Sequence, residues 1–264
     1  MKKILLGGVS ILLLAGGGIW YFGFISDQEA TVDINQINLP EQEDSAEIVA
    51  ESAVETDVSA EPVGENRGMK TLAMELIERP AIFRAQLSDA AKKQAADKIN
   101  ESMSMIQQNY DYPDAWYDLA AYRKLIGDYE GAIEAWNFIG LIRPKDYIYL
   151  NNLGNLYAFD LKDYKKGEIS FLKAIGNNSE NINGYLQLAT LYEYAYKEKS
   201  AEAENILLLG IKFNSKDAAL KIALAQYYER SGRKADALKY FEEALKLDPS
   251  NGPLQEGINK LKNG

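Results

Sequence analysis

The chain has 264 residues, 47% of them apolar, enough for a core without staples, and it contains neither cysteine nor histidine. Thiolate chemistry, sulfur-ligated metals, histidine general bases and every Ser-His or Cys-His nucleophile pair are thereby excluded. The net charge of -10 is unevenly placed: residues 26–66 carry twelve acids and no base, whereas residues 67–264 hold 27 acids and 27 bases and offer no basic excess to a nucleic-acid backbone.

In chain order, Lys2 and Lys3 precede an uncharged run of 22 residues, Ile4 to Ile25. A helix of that length reaches roughly 33 Å, against a hydrocarbon core of about 30 Å. The run is therefore expected to anchor the chain in a membrane through residues 4–25, with the lysine-bearing end in the cytoplasm and the rest exported. Trp20, Tyr21, Phe22 and Phe24 stand at the far end, where amphipathic rings favour an interface. A cleaved signal peptide ending near Ala15-Gly16-Gly17 is the alternative, giving a secreted protein.

Residues 26–66 alternate acids with small residues and show no sustained apolar face. Such a composition cannot offset the entropy of ordering, so a disordered tether is expected.

From Met69 the pattern becomes helical. Pro80 interrupts a short apolar helix, and Ser88 is placed to cap a longer one over residues 89–108, with Ala95, Ile99, Met103 and Ile106 on one stripe. Residues 79–112 have the length of one later unit without its pattern, and the region 67–112 reads as an N-terminal cap or a degenerate repeat.

Four units follow, at 113–146, 147–181, 182–217 and 218–251, their starts 34, 35 and 36 residues apart. The last has Leu224, Ala225, Tyr228, Gly232, Ala237, Phe241, Ala244 and Pro249. The first has Trp116, Leu119, Ala120, Gly127, Ala132, Trp136 and Pro144; the second has Leu153, Gly154, Tyr157, Gly167, Phe171 and Ala174. The third has Tyr185, Leu188, Ala189, Tyr192, Ala203, Leu207 and Gly210. The second unit carries one extra residue between Tyr157 and Asp163, and the third two in its turn. Residues 252–264 read as a shortened capping helix.

This order and spacing resemble the tetratricopeptide repeat, a helix-turn-helix unit. The resemblance implies an all-α fold, a right-handed α-solenoid of stacked repeats, in which the first helix of each unit lines a concave inner wall. Small residues at Ala120, Gly154, Ala189 and Ala225, and at Ala132, Gly167, Ala203 and Ala237, let paired helices approach closely, and the recurring rings pack beside them.

Taken from the family's geometry, the inner wall presents Tyr117, Asp118 and Lys124, then Asn151, Asn152, Asn155 and Phe159, then Gln187, Thr190, Glu193 and Tyr194, then Gln226, Glu229 and Arg230. Amides offer both donor and acceptor, which suits an extended peptide backbone. The wall departs from repeats that clamp a C-terminal carboxylate: Tyr117, Ala121, Asn183 and Gln187 occupy places where those present lysine, asparagine and basic residues.

The sequence shows no phosphate-cradling loop, and adjacent acids such as Glu242 and Glu243 point apart on a helix, so no cofactor and no catalysis are expected. The expectation is a single-pass protein of a bacterial cytoplasmic membrane, holding a protein or peptide partner outside the cytoplasm during envelope assembly, secretion or complex maturation. A self-assembling, homo-oligomeric envelope protein is the alternative.

Overall fold

The structure, a computed structural model, describes residues 65–263. The expected membrane helix and nearly all of the acidic tether lie outside the described residues; the last two tether positions, Glu65 and Asn66, open a helix instead. Among the described residues no helix is long and apolar enough to cross a membrane.

The described chain is all-helical. Two helices come first, α1 (Glu65–Glu78) and α2 (Asp89–Gln108). Ser88 caps α2 by accepting from the Ala91 amide at 3.3 Å. Eight helices then form four hairpins: α3 (Pro113–Leu125) with α4 (Tyr129–Ile142), α5 (Ile148–Asn155) with α6 (Tyr164–Asn177), α7 (Ile182–Thr190) with α8 (Glu202–Phe213), and α9 (Ala218–Arg230) with α10 (Lys234–Leu247). The last helix is α11 (Gly252–Asn263).

Each hairpin packs its two helices together, its second helix packs on the first helix of the next hairpin, and α7 touches both α5 and α9. That is solenoid stacking, and the cap departs from it. Helix α1 lies against both α2 and α4, whereas α2 packs closely on α3.

The signature residues explain the close packing. Ala120, Ala132, Ala203, Ala225 and Ala237 are fully buried. A Cβ at Gly154 would stand 2.6 Å from the Phe171 ring, and one at Gly167 would stand 2.8 Å from Ala158 Cβ. Neither site has room for a methyl group. Trp116 is buried, stacks on Phe138 with ring centroids 4.2 Å apart, and donates its indole N–H to the Tyr110 carbonyl at 2.8 Å.

The extra residues of the second and third units lengthen helices as well as turns. α5 continues into a π-helical turn, Leu156–Asp160, and α7 into another, Leu191–Ala195. The Leu161 amide donates to the Leu156 carbonyl at 2.9 Å and the Tyr196 amide to the Leu191 carbonyl at 2.7 Å, each five residues on. Inserting a residue without breaking the helix gives this widened turn. What remains in the third unit forms a short 3₁₀ turn, Lys197–Lys199.

Candidate functional site: the wall formed by the first helices

The first helices of the repeats carry the fourteen residues picked out from the sequence, in three physical roles. Several join one repeat to the next. Tyr117 donates its hydroxyl to Asp146 at 2.8 Å, and burial, reinforced by that carboxylate, raises its phenol well above the ordinary range. One repeat further on, in the same register, Asn151 and Asn181 exchange amide hydrogen bonds at 3.1 Å in each direction. Asn181 also caps α7 by accepting from the Gly184 amide.

Asn151, one of the inner-wall amides expected to meet a ligand, is thus buried and engaged within the fold. The reason lies next door: in this register position the residue reaches the residue that begins the following first helix. A polar pair there satisfies both groups in a dry joint.

A second set forms ion pairs across neighbouring first helices. Lys124 reaches Asp160 at 2.7 Å and donates to Asn155 at 3.1 Å, so the π-turn of the second repeat supplies its carboxylate. Arg230 grips Glu193 with both Nε and Nη2, at 2.7 and 2.8 Å. Its guanidinium also lies over the Tyr194 ring, 5.6 Å from the centroid. Both cations of the wall are therefore neutralised by carboxylates of the wall. Thr190 bonds back to the Leu186 carbonyl at 2.7 Å, and half-buried Phe159 packs against the core.

The third set is left open. Asn152, Gln187 and Gln226 are half-buried and make no side-chain hydrogen bond among the described residues. Asn152 and Gln187 share one register position on consecutive first helices, two residues before Gly154 and Ala189. Asp118 occupies the same position one repeat earlier and is exposed, as is Glu229 on α9. Partial burial holds the Asp118 carboxyl above its usual range, with Asp114 and Glu101 pushing the same way and Lys98 opposing them.

Two three-residue junctions were not visible as such in the sequence. Glu168 on α6 and Glu204 on α8 are both buried, and each accepts a hydroxyl from the signature tyrosine of the next repeat, Tyr192 and Tyr228. Each carboxylate also binds a cation from the following turn, Lys199 and Arg233. The repeat at 113–146 reverses this chemistry. Arg123 stands at the tyrosine position and Asp128 at the cation position. Comparing residues at equal offsets from Ala120, Gly154, Ala189 and Ala225 would have exposed the substitution.

Glu242 pairs with Lys262 at 2.6 Å and Glu243 with Lys221 at 2.7 Å, so the adjacent carboxylates engage separate partners. No group of three metal-ligating side chains occurs among the described residues.

Two family models, both described as Tetratricopeptide repeat, match residues 147–181 and 218–251. No curated protein matches the chain at a significant level. Among solved structures, TTC0263, a thermophilic TPR protein of Thermus thermophilus, is 17% identical, covering 75% of this chain and 99% of that one with a TM-score of 0.48. MamA is 17% identical, covering 64% of this chain and 99% of that one with a TM-score of 0.47. YrrB, described as a TPR protein with an unusual peptide-binding site, is 11% identical, covering 64% of this chain and 86% of that one with a TM-score of 0.45.

Proposed function

This chain carries tetratricopeptide repeats, and from that premise we propose that it is a protein-interaction scaffold whose first-helix wall binds an extended segment of a partner protein. The observation that carries the reading is the set of half-buried amides, Asn152, Gln187 and Gln226, without hydrogen-bond partners among the described residues. Each carries two donors and an acceptor, and an extended backbone offers matching groups along its length. The surrounding wall is already fixed by Lys124 with Asp160 and by Arg230 with Glu193, so binding need not order it.

The scaffold is held at a membrane by residues 4–25 and displayed outside the cytoplasm by the acidic segment 26–66. The two lysines before the uncharged run and the twelve acids after it motivate this topology. Envelope assembly, secretion and complex maturation are the processes that such a layout suits.

Mutation of the open amides tests the binding claim. Asn152→Ala with Gln187→Ala should weaken partner capture while leaving helical circular dichroism unchanged. Undiminished capture by this variant would remove the wall as the binding surface. Protease accessibility of the repeats in intact cells tests the topology: cleavage from outside the cytoplasm is expected, and protection in cells whose outer barrier has been opened would refute it.

A further inference from the structure

Resting on the binding role just given to the first-helix wall, we propose that the segment it accepts is an internal, cation-bearing stretch of polypeptide, and that a terminal carboxylate or an acidic motif is rejected. The fourteen wall residues include two cations, and both are already held by carboxylates; Lys197, which lies over the ring of Tyr194, donates to the Glu193 carbonyl at 2.6 Å. Lys124 has Asp160 at 2.7 Å, and Arg230 has a two-point grip on Glu193. An incoming carboxylate would have to displace an intramolecular one, gaining little from the exchange.

The acids of the same helices are balanced otherwise. Asp118 and Glu229 are exposed and make no ion pair among the described residues. Lys98, the cation that acts on Asp118, is itself paired with Glu101 at 2.7 Å. Burial above all, with Asp114 and Glu101, holds the Asp118 carboxyl up against the opposing pull of Lys98. A lysine or arginine from a ligand would add to that pull and favour the carboxylate.

The placement sets a length. Asp118 is on α3 and Glu229 on α9, three first-helix steps apart. Consecutive first helices meet less closely than the two helices of a hairpin, so at no less than roughly 8–10 Å per step the span is at least about 24–30 Å. An extended chain rising about 3.3 Å per residue needs at least about seven to nine residues to cover that. Asn152 and Gln187 lie between the two acids, on α5 and α7, where they meet the ligand backbone.

A bead-displayed library of random nonapeptides with amidated C-termini, presented to the full chain, tests this. Lys and Arg should be enriched over Asp and Glu among bound sequences, and the Asp118→Asn, Glu229→Gln variant should lower that enrichment about 2- to 30-fold, the range for two exposed charge pairs. The variant is essential because the twelve acids of residues 26–66 also attract cations. Undiminished enrichment in the variant would overturn the inference, as would a preference for acidic sequences. Retention without charge bias that is lost in Asn152→Ala, Gln187→Ala would overturn the charge selection and leave the wall as the binding surface. Failure of either protein to retain any sequence above bare beads would overturn both.

Discussion

The Arg123 guanidinium lies 2.5 Å from the Asp128 carboxylate, and both side chains are almost wholly buried. Asp128 also binds Arg79 at 2.9 Å, while Arg123 donates to the Arg79 carbonyl at 2.6 Å. These contacts fasten the irregular stretch after α1 across the turn of the first repeat. Its next backbone amides, Arg84 and Ala85, both donate to the Ile126 carbonyl, at 2.8 and 2.9 Å. The charge-reversed pair in the first repeat thus serves an N-terminal strap, where the Glu168 and Glu204 junctions serve repeat stacking.

Asp128→Asn should be severely destabilising. It leaves Arg123 charged, buried and without its carboxylate, an outcome that costs about 3–5 kcal/mol. Urea denaturation of the full chain would show the loss. A change below about 1 kcal/mol would mean that the pair does not secure the cap.

Glycine replacements separate strap from turn. Gly127 and Gly232 both have positive φ, +80° and +71°, but a Cβ at Gly127 stands 3.0 Å from the Ala85 amide nitrogen, while one at Gly232 meets nothing within 4 Å. Each change to alanine costs about 1–2 kcal/mol for the backbone alone. Gly127→Ala should cost about 1–3 kcal/mol more, from crowding the strap. Equal midpoints for the two variants in denaturant would contradict that contact.

The repeat register was readable because its determinants are local: a small residue, a ring and a turn at fixed offsets. The expected starts at 113, 182 and 218 coincide with α3, α7 and α9, and α5 begins one residue after 147. What escaped depends on neighbours distant in sequence. Asn151 looked like a groove amide until Asn181 stood beside it, and the one- and two-residue insertions looked like loop lengthening until π-turns absorbed part of them. The strap carries no periodic signal, because isolated arginines and backbone amides make its contacts.

Lys162 has φ of +58°, the only positive value among the described non-glycine residues, in the turn where the first and fourth repeats use glycine. Its side chain is exposed. Lys162→Gly should stabilise the chain by about 0.5–1 kcal/mol, the relief of left-handed strain less the added freedom of the unfolded chain. Thermal denaturation reads the sign, and a lower midpoint would show that the lysine contributes more than its conformation costs.

Alkaline pH should dissolve the fold cooperatively. Burial pushes the Tyr185 phenol up to about 12. Burial, then hydrogen bonding to Glu168, Glu204 and Asp146, raises Tyr192, Tyr228 and Tyr117 still further. A raised phenol favours the uncharged form in the fold, so its contribution is complete below the unfolded value of about 10 and is lost as pH rises through the folded values. Stability in urea should therefore be level in tyrosine terms up to about pH 9 and fall steeply from about pH 10 to 12. Tyrosinate absorbance would track it: these phenols should ionise together with unfolding, and their ionisation in a chain still helical would contradict the assignment.

Photo-crosslinking in cells tests the wall most directly. A photoreactive residue at position 152, 187 or 226 should capture the same partner polypeptide from all three sites, and one at Lys173 on α6 or Lys239 on α10 should capture none of it. Capture from the second-helix positions with none from the first-helix positions would contradict the central claim that the first helices form the binding surface.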